Sequence, residues 1–505
     1  MKPANRDLIA ATLVLCALIT LFHVVSAWFG HSIYRDQHLG TALLYAKNGI
    51  DLLRPVIVGF TAADSPVAQE IPIWQAAAAL AFKCFGTWFG WANVVSLLFF
   101  FPALWPLFQM ARTWLGERGA WWTLVFFLAQ PNTIFQGGRG GTDGLCIAFA
   151  IWFVYFADGL LRTGQWRWFF PAALFAALAA LSKAPFFMAV GGTSFFLLLL
   201  QHRASLSRWV SLGAVGLFAA LCLKLWTRHT DAQIATAEFP FVDLRLSNPG
   251  MWFSYFGNLH FFLSPWSWAR GGWRALNCLF GSFALVGLAL WGLLFSKNRL
   301  AQLWFAGAAA TTCVFFHAVL WHQNYFLIYG PAVALLCAPS LLKLEELAFL
   351  NKLRKQTALV TVTFVVLLLA AVQGLVGMKI VADYDSYPQR VADIIQKHTS
   401  PQERLLIWGG GWGGNELILS HRGGLNIWNT DFLDEPKNLA RLKSLGYTKL
   451  VMVSESPLMT ALQVTDPGDF DRKRMTYHSK LTGGAREWKT IYESDDILIK
   501  EVPGS

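Results

Sequence analysis

Charge is what this sequence has least of. Asp, Glu, Lys and Arg make up 14% of its 505 residues, where a soluble domain carries about a quarter. That poverty excludes an ordinary soluble enzyme, whose surface needs more charge, and a disordered chain, which needs more still. Cysteine is scarce too. The seven, Cys16, Cys84, Cys146, Cys222, Cys278, Cys313 and Cys337, all fall in apolar stretches, and no CxxC occurs. A disulfide framework and a cysteine zinc site are thereby excluded. The first apolar run, Leu8–Phe29, lacks the small-residue cleavage site of a removed signal peptide and reads as a retained anchor. Bases outnumber acids, 41 to 30, for a net charge of +11. Because Lys and Arg sit between apolar runs, that excess reads as loop charge rather than as a nucleic-acid patch, and no nucleic-acid partner is expected.

Apolar residues are what is there. They make up 55% of the chain, and many windows reach the roughly 20 residues needed to cross a bilayer. The pattern predicts a polytopic α-helical membrane protein with eleven spans: 8–29, 91–111, 119–136, 144–161, 168–182, 184–200, 209–226, 275–296, 300–320, 325–342 and 357–379. With the N-terminus in the cytoplasm, the inside connections carry Arg112 and Arg118, Arg162 and Arg167, Arg203 and Arg208, Lys297 and Arg299, and Lys343, Lys352, Arg354 and Lys355. Every inside loop is then basic, as the positive-inside rule asks. Counting Ile71–Gly90 as a further span would put these loops outside. It reads instead as a juxtamembrane helix in the outer interface, with Trp74, Lys83 and Trp88 suited to that position.

This topology gathers four polar islands on the outer face. They are the loop around Asp36, "QGGRGGTDG" (Gln136–Gly144), "LSKAP" (Leu181–Pro185) and the long loop Thr227–Arg274. Ionisable groups at membrane depth are costly and mark function. Acids and bases beside lipid suggest a substrate that is half lipid with a charged head. After Lys379 helix-like and strand-like pieces alternate, which predicts a small extracytoplasmic α/β domain over 380–505. The membrane module takes 1–379, with juxtamembrane helices in an outer loop of about 30–90. In the tail, "GGGWGG" (Gly409–Gly414) follows "LLIW" and precedes Asp431 by some 20 residues, as a dinucleotide fingerprint would. In an extracytoplasmic domain it reads as a glycine-rich turn, and no nucleotide cofactor is expected.

In order along the chain come an outer-loop Asp, "QEIPIW", "GGTDG", "LSKAP" and a tail with "LLIWG". This series resembles the GT-C superfamily of integral-membrane glycosyltransferases, in particular the group of the protein O-mannosyltransferases and lipid A aminoarabinose transferases. The resemblance covers nearly the whole chain. It implies a polyprenyl-phosphate sugar donor and a protein, lipid or glycan acceptor; a bacterial inner membrane is the default expectation, with the endoplasmic reticulum as the alternative, and span parity puts the tail outside the cytoplasm. Two departures bear on the acceptor: Gln37 follows Asp36 where many relatives have Glu, and Ile71 follows Glu70 where lipid A-type relatives often have Lys.

Asp36 is the candidate base, since transfer needs the acceptor hydroxyl deprotonated as it attacks; pairing with Arg35 is the plainer alternative. Asp143 is the second catalytic candidate, although an Asp in a first helical turn also serves the helix dipole. Arg139 and Lys183 are candidates for the donor phosphate, against snorkelling for Lys183. Arg35, Trp74 and His322, the last in "WHQNY", are further substrate-binding candidates. Glu70 and His260 are the pair the resemblance suggests for a divalent metal ion. Two other classes compete. A lipid-linked-sugar flippase or transporter would show repeats and mid-membrane breaks, and a non-catalytic envelope-polysaccharide assembly protein would not need these charges on one face.

Overall fold

The computed structural model describes residues 5–28, 36–67, 70–201, 205–240, 245, 247–346, 368, 372, 389–409, 414–427, 431–453, 483–494 and 497–503. The chain divides into two units. One takes Met1–Ser32, Ala92–Arg228 and Leu246–Met378, the other Ile33–Trp91, His229–Arg245 and Lys379–Ser505. The 30–90 outer loop, expected with the membrane module, therefore groups with the tail instead.

The first unit is helical. Its elements are α1 (Arg6–Trp28), α4 (Gly90–Phe100), α5 (Leu104–Leu128), α6 (Pro131–Gly137), α7 (Thr142–Thr163), α8 (Trp166–Ser182), α9 (Ala184–Gln201), α10 (Leu206–Ala235), α11 (Pro249–Phe256), α12 (Leu259–Leu263), α13 (Pro265–Ala275), α14 (Phe283–Phe295), α15 (Arg299–Val314), α16 (Phe316–Trp321) and α17 (Gly330–Glu346). The helices α2 (Asp36–Asn48) and α3 (Ile73–Phe85) belong to the other unit. Helix α7 packs on α8 and α9, α5 on α17 and α1, and α15 on α9. Helices α7 and α17 are buried along most of their length, while α1 and α10 leave most of theirs exposed. An apolar face left exposed on a 23- or 30-residue helix is what lipid contact requires.

Five helical stretches among the described residues are long and apolar enough to cross a membrane, or six if one bent pair counts as a span. Several expected spans are therefore shorter or broken. Gly116 takes φ 74° and ψ 178° inside α5, so the chain turns where the 112–118 connection was expected. The 275–296 segment is not one straight helix: α14 starts only at Phe283, and the preceding helical run meets it at 95°. The 300–320 segment breaks at Phe315. The segment 209–226 is part of the longer α10, which runs on to Ala235. Nearly all of 357–379 lies outside the described residues. Helix α3 has 13 residues, about 20 Å of length against a hydrocarbon core of about 30 Å. It is too short to span.

The second unit is built on a five-stranded sheet of order β2-β1-β3-β5-β4, with β1 Arg404–Trp408, β2 Gly423–Ile427, β3 Tyr447–Val453, β4 Thr490–Glu493 and β5 Ile497–Glu501. The first three are parallel, and β5 and β4 add antiparallel. Almost every residue of β3 is buried, as a strand covered on both faces should be. The outer loop joins this sheet directly. Gly59 (φ 75°) bridges Leu425, and the Asn426 N–H donates to Gly59 O at 2.8 Å. Arg404 donates to Ala62 O at 3.0 Å and pairs with Asp64 at 2.9 Å, and the buried Tyr447 hydroxyl donates to the same Ala62 O at 2.7 Å. Gly40 of α2 is packed so closely that a Cβ there would lie 2.9 Å from Val58 and 3.0 Å from Ile418.

Candidate active-site clusters

Each unit holds one buried polar cluster. In the helical unit it centres on Asp143, which is 1% exposed in the first turn of α7. Its Oδ1 accepts from Lys183 Nζ at 2.7 Å and from Asn324 Nδ2 at 2.7 Å. Lys183 lies in the break between α8 and α9, with extended backbone (φ −163°, ψ 97°). Pro185 in the first turn of α9 suits that restart, because its missing N–H costs nothing there. The Lys183 ammonium also stands 4.8 Å from the Tyr325 ring centroid and 5.8 Å from that of Phe186, both within cation–π range. Lys183 is 7% exposed. Its ammonium is thus turned inward onto Asp143.

The glycine-rich loop before Asp143 is held by side chains from α4, and α6 before it by His23 of α1. Ser96 Oγ donates to Arg139 O at 2.7 Å, and Asn93 Oδ1 accepts from the Gly140 N–H at 3.0 Å. Asn93 Nδ2 donates to His23 O at 3.0 Å, and His23 Nε2 hydrogen-bonds Ile134 O at 2.9 Å. All three side chains are wholly buried. Gly144 needs to be glycine for packing: a Cβ would stand 2.7 Å from Gly137 O. The Arg139 guanidinium lies 5.4 Å from the Phe135 ring centroid. His322 is exposed, with its ring 6.3 Å from that of Tyr325. Sequence reasoning singled out His322 in "WHQNY" and missed Asn324 and Tyr325 beside it, which are the residues that reach Asp143 and Lys183. It also missed His23, Asn93 and Ser96; a polar residue at helical spacing inside an apolar run was the only signal they offered.

In the second unit, Asp36 is the first residue of α2, and Arg35 lies outside the described residues. His38, in the first turn of the helix and 4% exposed, has Nδ1 2.7 Å from Gln75 Nε2 and Nε2 3.6 Å from Glu70 Oε2. Trp74 is fully buried, edge-on to His38 at 6.2 Å; it is core rather than the interface anchor expected. A cavity of about 20 Å³ opens here, lined by Gln37, His38, Thr41, Glu70 and Gln75 among others. His260, the expected metal partner of Glu70, is exposed on α12 in the other unit. No group of three or more His, Cys, Asp or Glu side chains gathers among the described residues. The Glu70 carboxylate and the His38 imidazole stand beside this small polar cavity. Residues 410–413 of the "GGGWGG" turn lie outside the described residues.

Three comparisons bear on this arrangement. Residues 64–226 match the model of the dolichyl-phosphate-mannose-protein mannosyltransferase family. No curated protein sequence matches significantly. Among solved structures, ArnT from Cupriavidus metallidurans bound to undecaprenyl phosphate superposes with a TM-score of 0.60 at 14% identity, covering 99% of this chain and 98% of that one. The oligosaccharyltransferase AglB from Archaeoglobus fulgidus, in complex with an inhibitory peptide and a dolichol-phosphate, gives 0.53 at 11%, over 94% and 72%. The arabinofuranosyltransferase AftD from Mycobacteria gives 0.51 at 15%, over 99% and 40%. The chain shares the fold of these three structures. The family match over 64–226 and the likeness of fold both support the resemblance to the GT-C superfamily.

Proposed function

We propose that the protein transfers a sugar from a polyprenyl-phosphate-linked donor to a protein, lipid or glycan acceptor at the outer face of a membrane. The observation that carries this reading is the Asp143–Lys183–Asn324 cluster, an ion pair buried at a helix break in an otherwise apolar bundle. Charges so placed are expensive and are kept for function. Support comes also from the full-length likeness to ArnT bound to undecaprenyl phosphate, and from AglB bound to dolichol-phosphate.

In this reading Asp36 takes the proton of the acceptor hydroxyl as its oxygen attacks the anomeric carbon. The bond from that carbon to the phosphate oxygen breaks, and the phosphate leaves with the electron pair. Cationic groups then offset the charge that develops on it, and Arg139 is the nearest candidate to the Asp143 cluster in sequence. Lys183 and Asn324 hold the Asp143 carboxyl in place. A divalent ion held by Glu70 would supply further positive charge.

The test is turnover by purified protein in detergent against a panel of polyprenyl-phosphate sugars. Transfer to an acceptor is expected from at least one donor, with Asp36→Asn slower by about 10²–10⁴-fold. Donor translocation without transfer would replace this reading with a transporter. Asp36→Asn activity within a few-fold of wild type would remove Asp36 as the base.

A further inference from the structure

We propose that the ends of α5, α7 and α8 together bind the phosphate head of an anionic glycerophospholipid, at the membrane face opposite the Asp143 cluster. This site takes no part in the proposed transfer and stands or falls independently of it.

Position comes first. Arg162 follows Asp143 along α7 by about 29 Å, at about 1.5 Å per residue. A hydrocarbon core is about 30 Å thick. With Asp143 at the outer surface, Arg162 stands at the level of the inner headgroups, on the side that the basic connections mark as cytoplasmic. Three arginines gather here: Arg162 of α7, Arg112 of α5 and Arg167 of α8. The charges of all three act on one hydroxyl, that of Tyr155. Asp158 holds Arg162 at 2.8 Å. Arg112 and Arg167 are exposed and make no hydrogen bond or ion pair with the described residues. Arg167 stands in the first turn of α8, where the helix dipole disfavours a cation, so helix stability does not account for it. The other acid at these helix ends, Glu117, is exposed beyond the turn at Gly116.

Aromatic contacts tie the same place together. Trp168 lies across α7 at Gly159, where a Cβ would come within 2.7 Å of the indole. Its ring meets that of Tyr155 edge-on at 5.6 Å, and the Arg167 guanidinium stands 5.4 Å from its centroid. Trp105 of α5 meets the Tyr155 ring at 5.3 Å. The residue that all three cations reach therefore also joins the three helices. Trp105, Trp166 and Phe170 are exposed. Exposed indoles at headgroup level fit a lipid rather than free phosphate. Guanidiniums can take the phosphate oxygens by paired N–H donors, while the acyl chains lie along the aromatic rings. A basic loop alone would follow from the positive-inside rule. Cations fixed on aromatic rings between packed helices make a defined headgroup seat.

The experiment reads lipid binding, not turnover. Full-length protein is reconstituted in vesicles of phosphatidylcholine alone, or of phosphatidylcholine and cardiolipin in equal parts. It is then extracted, and the lipid it retains is measured by native mass spectrometry. Wild type should keep cardiolipin over phosphatidylcholine and unfold at a higher temperature in the mixed vesicles. Arg112→Gln/Arg167→Gln should lower cardiolipin retention at least about tenfold, since two cations near a lipid phosphate are lost. Thermal unfolding in phosphatidylcholine alone identifies a variant that has lost its fold. Should the pair misfold, Arg112→Gln by itself should lower retention about fivefold. Lys297→Gln/Arg299→Gln removes two charges from a different inside loop and should leave retention unchanged. Equal losses in the two paired variants would overturn the proposal in favour of diffuse charge. Wild-type retention in a folded Arg112 variant, or a wild type with no preference for cardiolipin, overturns it as well. Displacement of the lipid by inorganic phosphate, and not by chloride at the same ionic strength, would make this a free-phosphate site instead and overturn the assignment to lipid.

Discussion

Asp143, Lys183 and Asn324 form a unit whose parts cannot be removed singly without cost. Replacing Lys183 by Met leaves the Asp143 carboxylate buried with only Asn324 of these two partners. Breaking a buried pair from one side costs about 3–5 kcal/mol. The double variant Asp143→Asn/Lys183→Met removes both charges and keeps an acceptor for Asn324, so it should recover most of that loss. Thermal unfolding of the single and double variants in detergent closes the cycle. Additive single effects would show that the two residues do not act together. Lys183→Arg should fall between, because its planar fork must replace a compact ammonium in the same space.

At the scale of elements, the loop Gly137–Gly141 is fastened by α4. Asn93→Leu removes both the acceptor of the Gly140 N–H and the donor to His23 O. Each buried group left unpaired costs about 1–3 kcal/mol. Ser96→Ala removes the donor to Arg139 O and the acceptor of the Gly141 N–H, and should cost less than Asn93→Leu, since the Gly141 bond is long at 3.4 Å and a carbonyl tolerates loss of a partner better than an N–H does. If Arg139 acts on the donor, both variants should raise KM for the donor while KM for the acceptor holds. Steady-state kinetics with each substrate varied would separate the two, and an unchanged donor KM would remove the loop from donor binding.

Across the whole molecule, the outer loop and the tail form one folded unit, and its stability has a readable pH dependence. Burial alone would raise the Glu403 carboxyl, but the Ser400 N–H at 2.6 Å and Lys449 at 3.3 Å outweigh it and hold it below its ordinary 4.5. Hydrogen bonds from Lys449 and Lys489 hold Glu501 below 4.5 as well. Burial lowers the Lys449 ammonium, yet Glu501 and Glu403 together raise it above 10.5. Depressed carboxylates add stability that is present above pH 4.5 and is lost as pH falls through their folded values. A raised lysine adds stability that is present below pH 10.5 and is lost above its folded value. Lys449→Met should therefore destabilise this unit most between those limits and flatten its decline in acid. Limited proteolysis of the full chain across pH, followed at the tail, would measure it; a parallel decline in both proteins would discount the network.

Topology belongs to the same scale. A cysteine placed at Ser207 should react with an impermeant reagent only after the membrane is opened, and one at Ser444 should react without opening, both measured above the background of the native thiols. Reaction of both from outside would reverse the assignment of the 71–90 segment.

Composition and hydropathy by themselves established a polytopic helical membrane protein with a small α/β tail, because lipid demands long apolar helices and a strand–helix alternation carries its own period. The order of short motifs pointed to the superfamily for the same reason: each marks a helix end or break, and helix ends are written locally. The Lys183 break and the first-turn Asp143 were legible in this way. What the chain alone could not show is which polar groups meet. Lys183 reaches Asp143 across 40 residues, and Asn324 reaches it across 181. His38 meets Glu70 and Gln75 only when α2 packs on α3. The outer loop joined the tail because Gly59, Ala62 and Asp64 satisfy the sheet edge, Tyr447 and Arg404. Pairing between distant groups depends on three-dimensional packing and leaves no period in the sequence, so only the tertiary structure decided it.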